Sequence, residues 1–165
     1  MTRKTLVYLL FLGVVCPLTA SADDILARFE GGIGSQPLRS GNPVGTLPRV
    51  NVVQGVNPGG TPWVISRLSA RIKMDGRISV DGRGLLLGGG DNVGRIGGNG
   101  QNVHARLFCD GVAHNSGSVP LDADGDFRID DVLVPLPPTV CGNATLLIVN
   151  AGGSWFAAGI PKERK

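Results

Sequence analysis

Between residues 63 and 87, apolar and polar side chains alternate on two opposite parities. Val64, Leu68, Ala70, Ile72 and Met74 fall on one, and Arg67, Ser69, Arg71 and Lys73 on the other. Successive side chains of a strand point to opposite faces, so this period of two buries the apolar set and turns a basic face to water. Asp75-Gly76 follows, where a two-residue hairpin turn needs positive backbone angles. Residues 77–87 then return, with Ile78 and Val80 continuing the buried face. This segment is committed to an antiparallel hairpin.

The rest of the chain repeats the theme. Strand patterns recur at 103–109, closed by Asp110-Gly111, at 118–121, at 126–134, and at 144–150 and 154–160 around Ala151-Gly152-Gly153. Residues 122–125 (Asp-Ala-Asp-Gly) form a turn, and Pro135, Pro137 and Pro138 end the strand before them because proline cannot donate within a sheet. Residues 23–34 lean to strand, since Gly31, Gly32 and Gly34 oppose a long helix. Residues 40–62 are rich in Gly, Pro and Asn, with one strand expected at 49–53. No sustained helical period occurs anywhere. The 26 glycines are too many for a helical bundle and too aperiodic for collagen. The expected fold is all-β: a single antiparallel β-sandwich over residues 23–161, immunoglobulin-like, with a small closed β-barrel as the second architecture the pattern allows.

Residues 1–22 carry the three parts of a secretory signal peptide. Arg3 and Lys4 precede an apolar run of ten residues at 6–15, and Thr19-Ala20-Ser21-Ala22 suits cleavage before Asp23. The run is half of what a bilayer-spanning helix needs, so no membrane span is expected in the mature form. Export to the periplasm or medium is the expectation. Removing this segment takes Arg3 and Lys4 and no acid, so Lys+Arg falls from 16 to 14 against 13 Asp+Glu. Residues 162–165 are read as a charged tail. Cys16 leaves with the signal, and Cys109 and Cys141 remain in a compartment that permits oxidation. They are expected to form a structural disulfide worth roughly 3–4 kcal/mol by the chain-entropy model.

Candidate chemistry is sparse. The glycine-rich stretch 84–100 lacks the helix that a dinucleotide fingerprint needs and is read as a long mobile loop. Asp122, Asp124 and Asp126 resemble the start of a calcium loop, but Phe127 stands at its sixth position and Leu133 at its twelfth. They remain weak calcium candidates beside the plainer reading of solvated turn aspartates, and no other metal and no cofactor is expected. Any Ser–His–Asp arrangement would rest on His104 or His114. His104 shares a parity with Arg106 and Phe108, and His114 falls in a polar turn region beside Asn115. Trp155-Phe156 is either core or an exposed binding patch. The basic strand face (Arg67, Arg71, Lys73, Arg77, Arg83) has Asp75 and Asp81 interleaved and no aromatic platform, so it is read as solvated and not as a nucleic-acid surface.

Several blocks resemble a set of small exported bacterial proteins without an assigned activity: residues 24–34 (DILARFEGGIG), 75–90 (DGRISVDGRGLLLGGG), 124–131 (DGDFRIDD) and 146–162 (LLIVNAGGSWFAAGIPK). This resemblance implies export and imports no site residue. More loosely, DADGDFRI at 122–129 is similar to hairpins of transthyretin-like and collagen-binding-B-type sandwich modules, which supports the fold alone. The functional expectation is a non-enzymatic interaction or structural module with an envelope or extracellular partner. The alternative is a small exported hydrolase or ligand-binding protein that uses the 84–100 loop with His104.

Overall fold

A computed structural model describes residues 24–39, 49–98 and 101–163. The signal read at 1–22, the first part of the 40–62 segment, residues 99 and 100 of the glycine-rich loop and the last two residues of the tail lie outside the described residues. The described chain is all-β and antiparallel, with thirteen strands and no helix.

Its frame is one continuous sheet. Strands β1 (Ile25–Gly34), β5 (Arg67–Lys73), β6 (Arg77–Arg83) and β11 (Phe127–Val132) make one half. Strands β8 (Asn102–Cys109), β12 (Thr145–Asn150) and β13 (Trp155–Pro161) make the other, with β9 (Val112–Asn115) and β10 (Val119–Pro120) both paired to β8. The halves join where β13 pairs with β1. The sheet curls until its ends meet, because Asn115 at the end of β9 and Val134 just beyond β11 form an antiparallel bridge. The wall-on-wall packing is that of the expected sandwich, and the end-to-end bridge brings it close to the small barrel.

Alternation accounts for the interior. Leu68, Ala70, Ile72, Ile78, Val80 and Ile129 from the first half pack into one core with Val103, Ala105, Leu107, Leu146 and Ile148 from the second. Strand β12 is buried on both faces, since Leu147 and Val149 turn outward into a second cluster with Phe108, Trp155 and Val56. A wrap built on β2 (Leu38–Arg39) and β3 (Arg49–Val50) leads into the cover over this outer cluster. Its tip is a tight turn in which Val53 and Val56 exchange both backbone hydrogen bonds, with positive φ at Gln54 and Gly55. That pattern is a two-residue hairpin of the kind strand twist favours. The Trp155 indole donates to the Asn51 carbonyl at 3.1 Å and ties the cover down.

The hairpin expected at 63–87 forms, with two corrections. Its turn is a three-residue loop in which Gly76 N donates to Lys73 O and only Gly76 has a positive φ, at 82°. Its outer ends separate into β4 (Trp63–Val64) and β7 (Leu86–Leu87), which pair with each other and not with β5 or β6. The parity therefore slips at Ile65-Ser66. Val64, expected inside, is 46% exposed, and Trp63 turns into the core to stack on Phe156 at a 3.9 Å centroid distance.

Candidate functional site

The register of β1, β5, β6 and β11 brings their polar parities together on the outer face. Across one row, Arg28 stands opposite Arg71, Arg71 opposite Ser79, and Ser79 opposite Asp130. In the next, Glu30 faces Ser69, Ser69 faces Asp81, and Asp81 faces Arg128. In the third, Arg67 faces Arg83. Neighbouring strands lie about 4.8 Å apart and alternate residues along a strand about 6.8 Å, so this is a compact grid of charge on a rigid floor. A hollow of about 540 Å³ opens between the long side chains, walled by Arg28, Arg67, Arg71, Arg128, Glu30 and Asp81.

Each acid here is engaged. Glu30 is held below its ordinary carboxyl value first by a hydrogen bond from Lys162, with Arg28 and Arg71 adding to it. Asp81 accepts two bonds from Arg83, both at 3.0 Å, and these lower it most; Arg67 and Arg128 lower it further. Asp130 takes Arg128 at 2.7 Å and a second bond from Ser79. Arg83 is raised by Asp81 and Asp126 together. Among the described residues, Arg67 and Arg71 make no ion pair. Like charges directly opposite on paired strands destabilise a sheet. Arg83 meets that cost with two carboxylates, whereas the Arg71 guanidinium, set opposite Arg28, makes no ion pair among the described residues and feels the Glu30 charge only at longer range. The face thus carries two planar donors outside any ion pair among the described residues, Arg67 and Arg71, interleaved with ionised acceptors and two serines.

The sequence singled out other residues as well. Cys109 and Cys141 are bridged, with Cα atoms 5.0 Å apart. Trp155 and Phe156 are 3% and 4% exposed on opposite faces of β13, one under the cover and one against Trp63, so they form no exposed patch. Adjacent strand residues point in opposite directions, and both directions are packed here. Asp122, Asp124 and Asp126 do not converge. Asp122 Oδ1 accepts the Asp124 and Asp126 backbone N–H groups at 3.0 and 2.8 Å, while Asp126 turns to Arg83 at 2.8 Å and Gly84 N at 2.9 Å. No cluster of three or more His, Cys, Asp or Glu that would hold a metal occurs among the described residues.

The described part of the glycine-rich loop has defined backbone contacts in place of the free loop expected. Leu87 N donates to Arg95 O, Gly94 N to Leu87 O, and Leu85 N to Gly125 O. The hollow of about 450 Å³ that it borders is lined by loop residues and Ala123 and does not reach His104. His104 is half-buried on the outer side of β8, lowered by burial and then by Arg106. His114 is a correction. It lies on strand β9, 3% exposed, with Nδ1 2.7 Å from Pro135 O, and not in a polar turn.

The sequence reading found Arg67, Arg71 and Asp81 but missed Arg28, Glu30, Ser79, Arg128 and Asp130 as their neighbours. The available signal was the shared outward parity of residues 28–30 and 128–130. The order in which distant strands pair was not readable. No family model, no curated protein and no solved structure matches the chain.

Proposed function

We propose that this chain is an exported, non-enzymatic β-sandwich that works as an interaction module, holding an anionic partner outside the cytoplasm on the outer face of β1, β5, β6 and β11. The observation that carries the reading is Arg71, which makes no ion pair among the described residues and lines a hollow of about 540 Å³ with Arg28 opposite it. A hollow of that size is within the range of ligand sites, and its polar walls suit a charged, hydrated ligand. Export is supported by the Cys109–Cys141 bridge, which belongs to oxidising compartments. Among the described residues no helix is long and apolar enough to cross a membrane. The resemblance to small exported proteins points the same way. His104 has Arg106 and not a carboxylate as its charged neighbour, so it lacks the orienting acid that a triad uses.

Retention on heparin–agarose tests this reading. The Arg67→Ala/Arg71→Ala double variant is expected to elute at lower salt than the wild type. An Arg49→Ala/Arg95→Ala control removes the same charge from other exposed positions and is expected to shift less. Equal shifts for the two pairs would sink the proposal.

A further inference from the structure

The same face carries information about what kind of anion it takes, and this step rests on the anion-binding reading above. We infer that the partner is a carboxylated polysaccharide, a glycan chain bearing uronic acid groups and free hydroxyls.

Two complementary halves of the grid point there. The donor half is Arg71 and Arg67, four residues apart on the same face of β5, with Arg28 directly opposite Arg71 on the paired strand. Guanidinium groups are planar forks that match a carboxylate with two parallel hydrogen bonds, and Arg71 and Arg67 are the two on this face outside any ion pair among the described residues. The acceptor half is Asp81 and Glu30, with Ser69 between them in the same row. An ionised carboxylate accepts only, and its two oxygens offer about four lone-pair sites, so Asp81 retains capacity beyond its two bonds to Arg83. Those oxygens call for a ligand rich in hydroxyl donors. A glycan acid supplies both halves at once.

Other polyanions supply one. Polyglutamate or a DNA phosphodiester backbone offers charge to the arginines but no hydroxyl donors to Asp81 and Glu30. Nucleic acid would also want rings to stack on. Among the described residues none is presented, since Trp63, Trp155, Phe29, Phe108, Phe127 and Phe156 are all buried.

The test uses the purified, oxidised protein with four probes at low ionic strength: polygalacturonate, polyglutamate, single-stranded DNA and neutral dextran. Polygalacturonate is expected to bind about tenfold or more tightly than polyglutamate or DNA, and dextran not measurably. Arg71→Ala is expected to weaken polygalacturonate by about tenfold; should that variant unfold, Arg67→Ala reads the same donor half. Asp81→Asn is the deciding variant, because it removes a negative charge and so improves any site that reads charge alone. It is expected to weaken polygalacturonate and to strengthen polyglutamate. If Asp81→Asn tightens polygalacturonate, or if polyglutamate or DNA binds as well as polygalacturonate, the glycan assignment is overturned and the anion-binding module stands. If no polyanion binds, both fall.

Discussion

Asn115 and Val134 exchange both of their backbone hydrogen bonds, at 2.9 and 2.8 Å, and this single bridge joins the two ends of the curled sheet. The joint is reinforced one step along, where the Asp131 carboxylate accepts Gly117 N at 2.6 Å and Val132 N at 2.8 Å. The wall that carries the arginine face ends at this seam, so its curvature depends on it.

Opening the seam is expected to be measurable. Asn115→Pro removes the N–H that donates to Val134 O, and because Val134 is exposed and water can reach it, the loss is about 0.5–1.5 kcal/mol. A urea midpoint equal to that of the wild type would show that the bridge does not contribute.

The disulfide offers a second test. Cys109 and Cys141 are separated by 32 positions, and their bridge ties the end of β8 to the proline-rich segment after β11. Reduction, or the Cys109→Ala/Cys141→Ala variant, is expected to lower stability by roughly 3–4 kcal/mol. Denaturant melts with and without reductant read the difference.

Close packing at Gly82 is a third. A Cβ there would lie 2.1 Å from the Phe127 ring across the β6–β11 pair, so the ring covers the position. Gly82→Ala is expected to push Phe127 out of the core and cost about 1–3 kcal/mol as an overpacking change. Gly152→Ala, whose nearest neighbour would be 3.5 Å away, is the matched control and should be close to neutral.

The dependence on pH has two parts. His104 is lowered from 6.5, first by burial and then by Arg106, so the unfolded chain binds its proton more readily and stability falls as pH drops from about 7 to 5. His104→Gln is expected to flatten that part. Asp81, Asp126 and Asp130 are lowered from 3.8, chiefly by Arg83 for the first two and by Arg128 for the third. Their contribution is present above the unfolded value and is lost as pH falls through the folded one, giving a steeper decline below about pH 4. Asp130 is exposed and Asp81 and Asp126 are partly so, and added salt should shrink the acid part. Urea midpoints across pH at two salt concentrations check both statements.

Much of the local structure was readable from residue order. The Asp110-Gly111 turn has positive φ at both positions, as that dipeptide implies, and the alternation of residues 67–73 and 77–80 matches their burial. Strand β9 escaped because Val112-Ala113-His114-Asn115 is too short to display a period, and only pairing with β8 makes it a strand. The arginine face was half visible for a similar reason. Arg67 and Arg71 lie on one hairpin, whereas Arg28 meets Arg71 through a pairing between β1 and β5 that spans 43 positions.

The amino-acid order alone thus determined the strand period and several of the turns, because backbone sterics and side-chain alternation act over a few residues. The tertiary structure decided which strands became neighbours. It buried both Trp155 and Phe156 by covering two faces of one strand, and it set Arg28 opposite Arg71. Strand order follows from packing two inner faces and one covered outer face together, and that balance belongs to the whole chain and to no local segment.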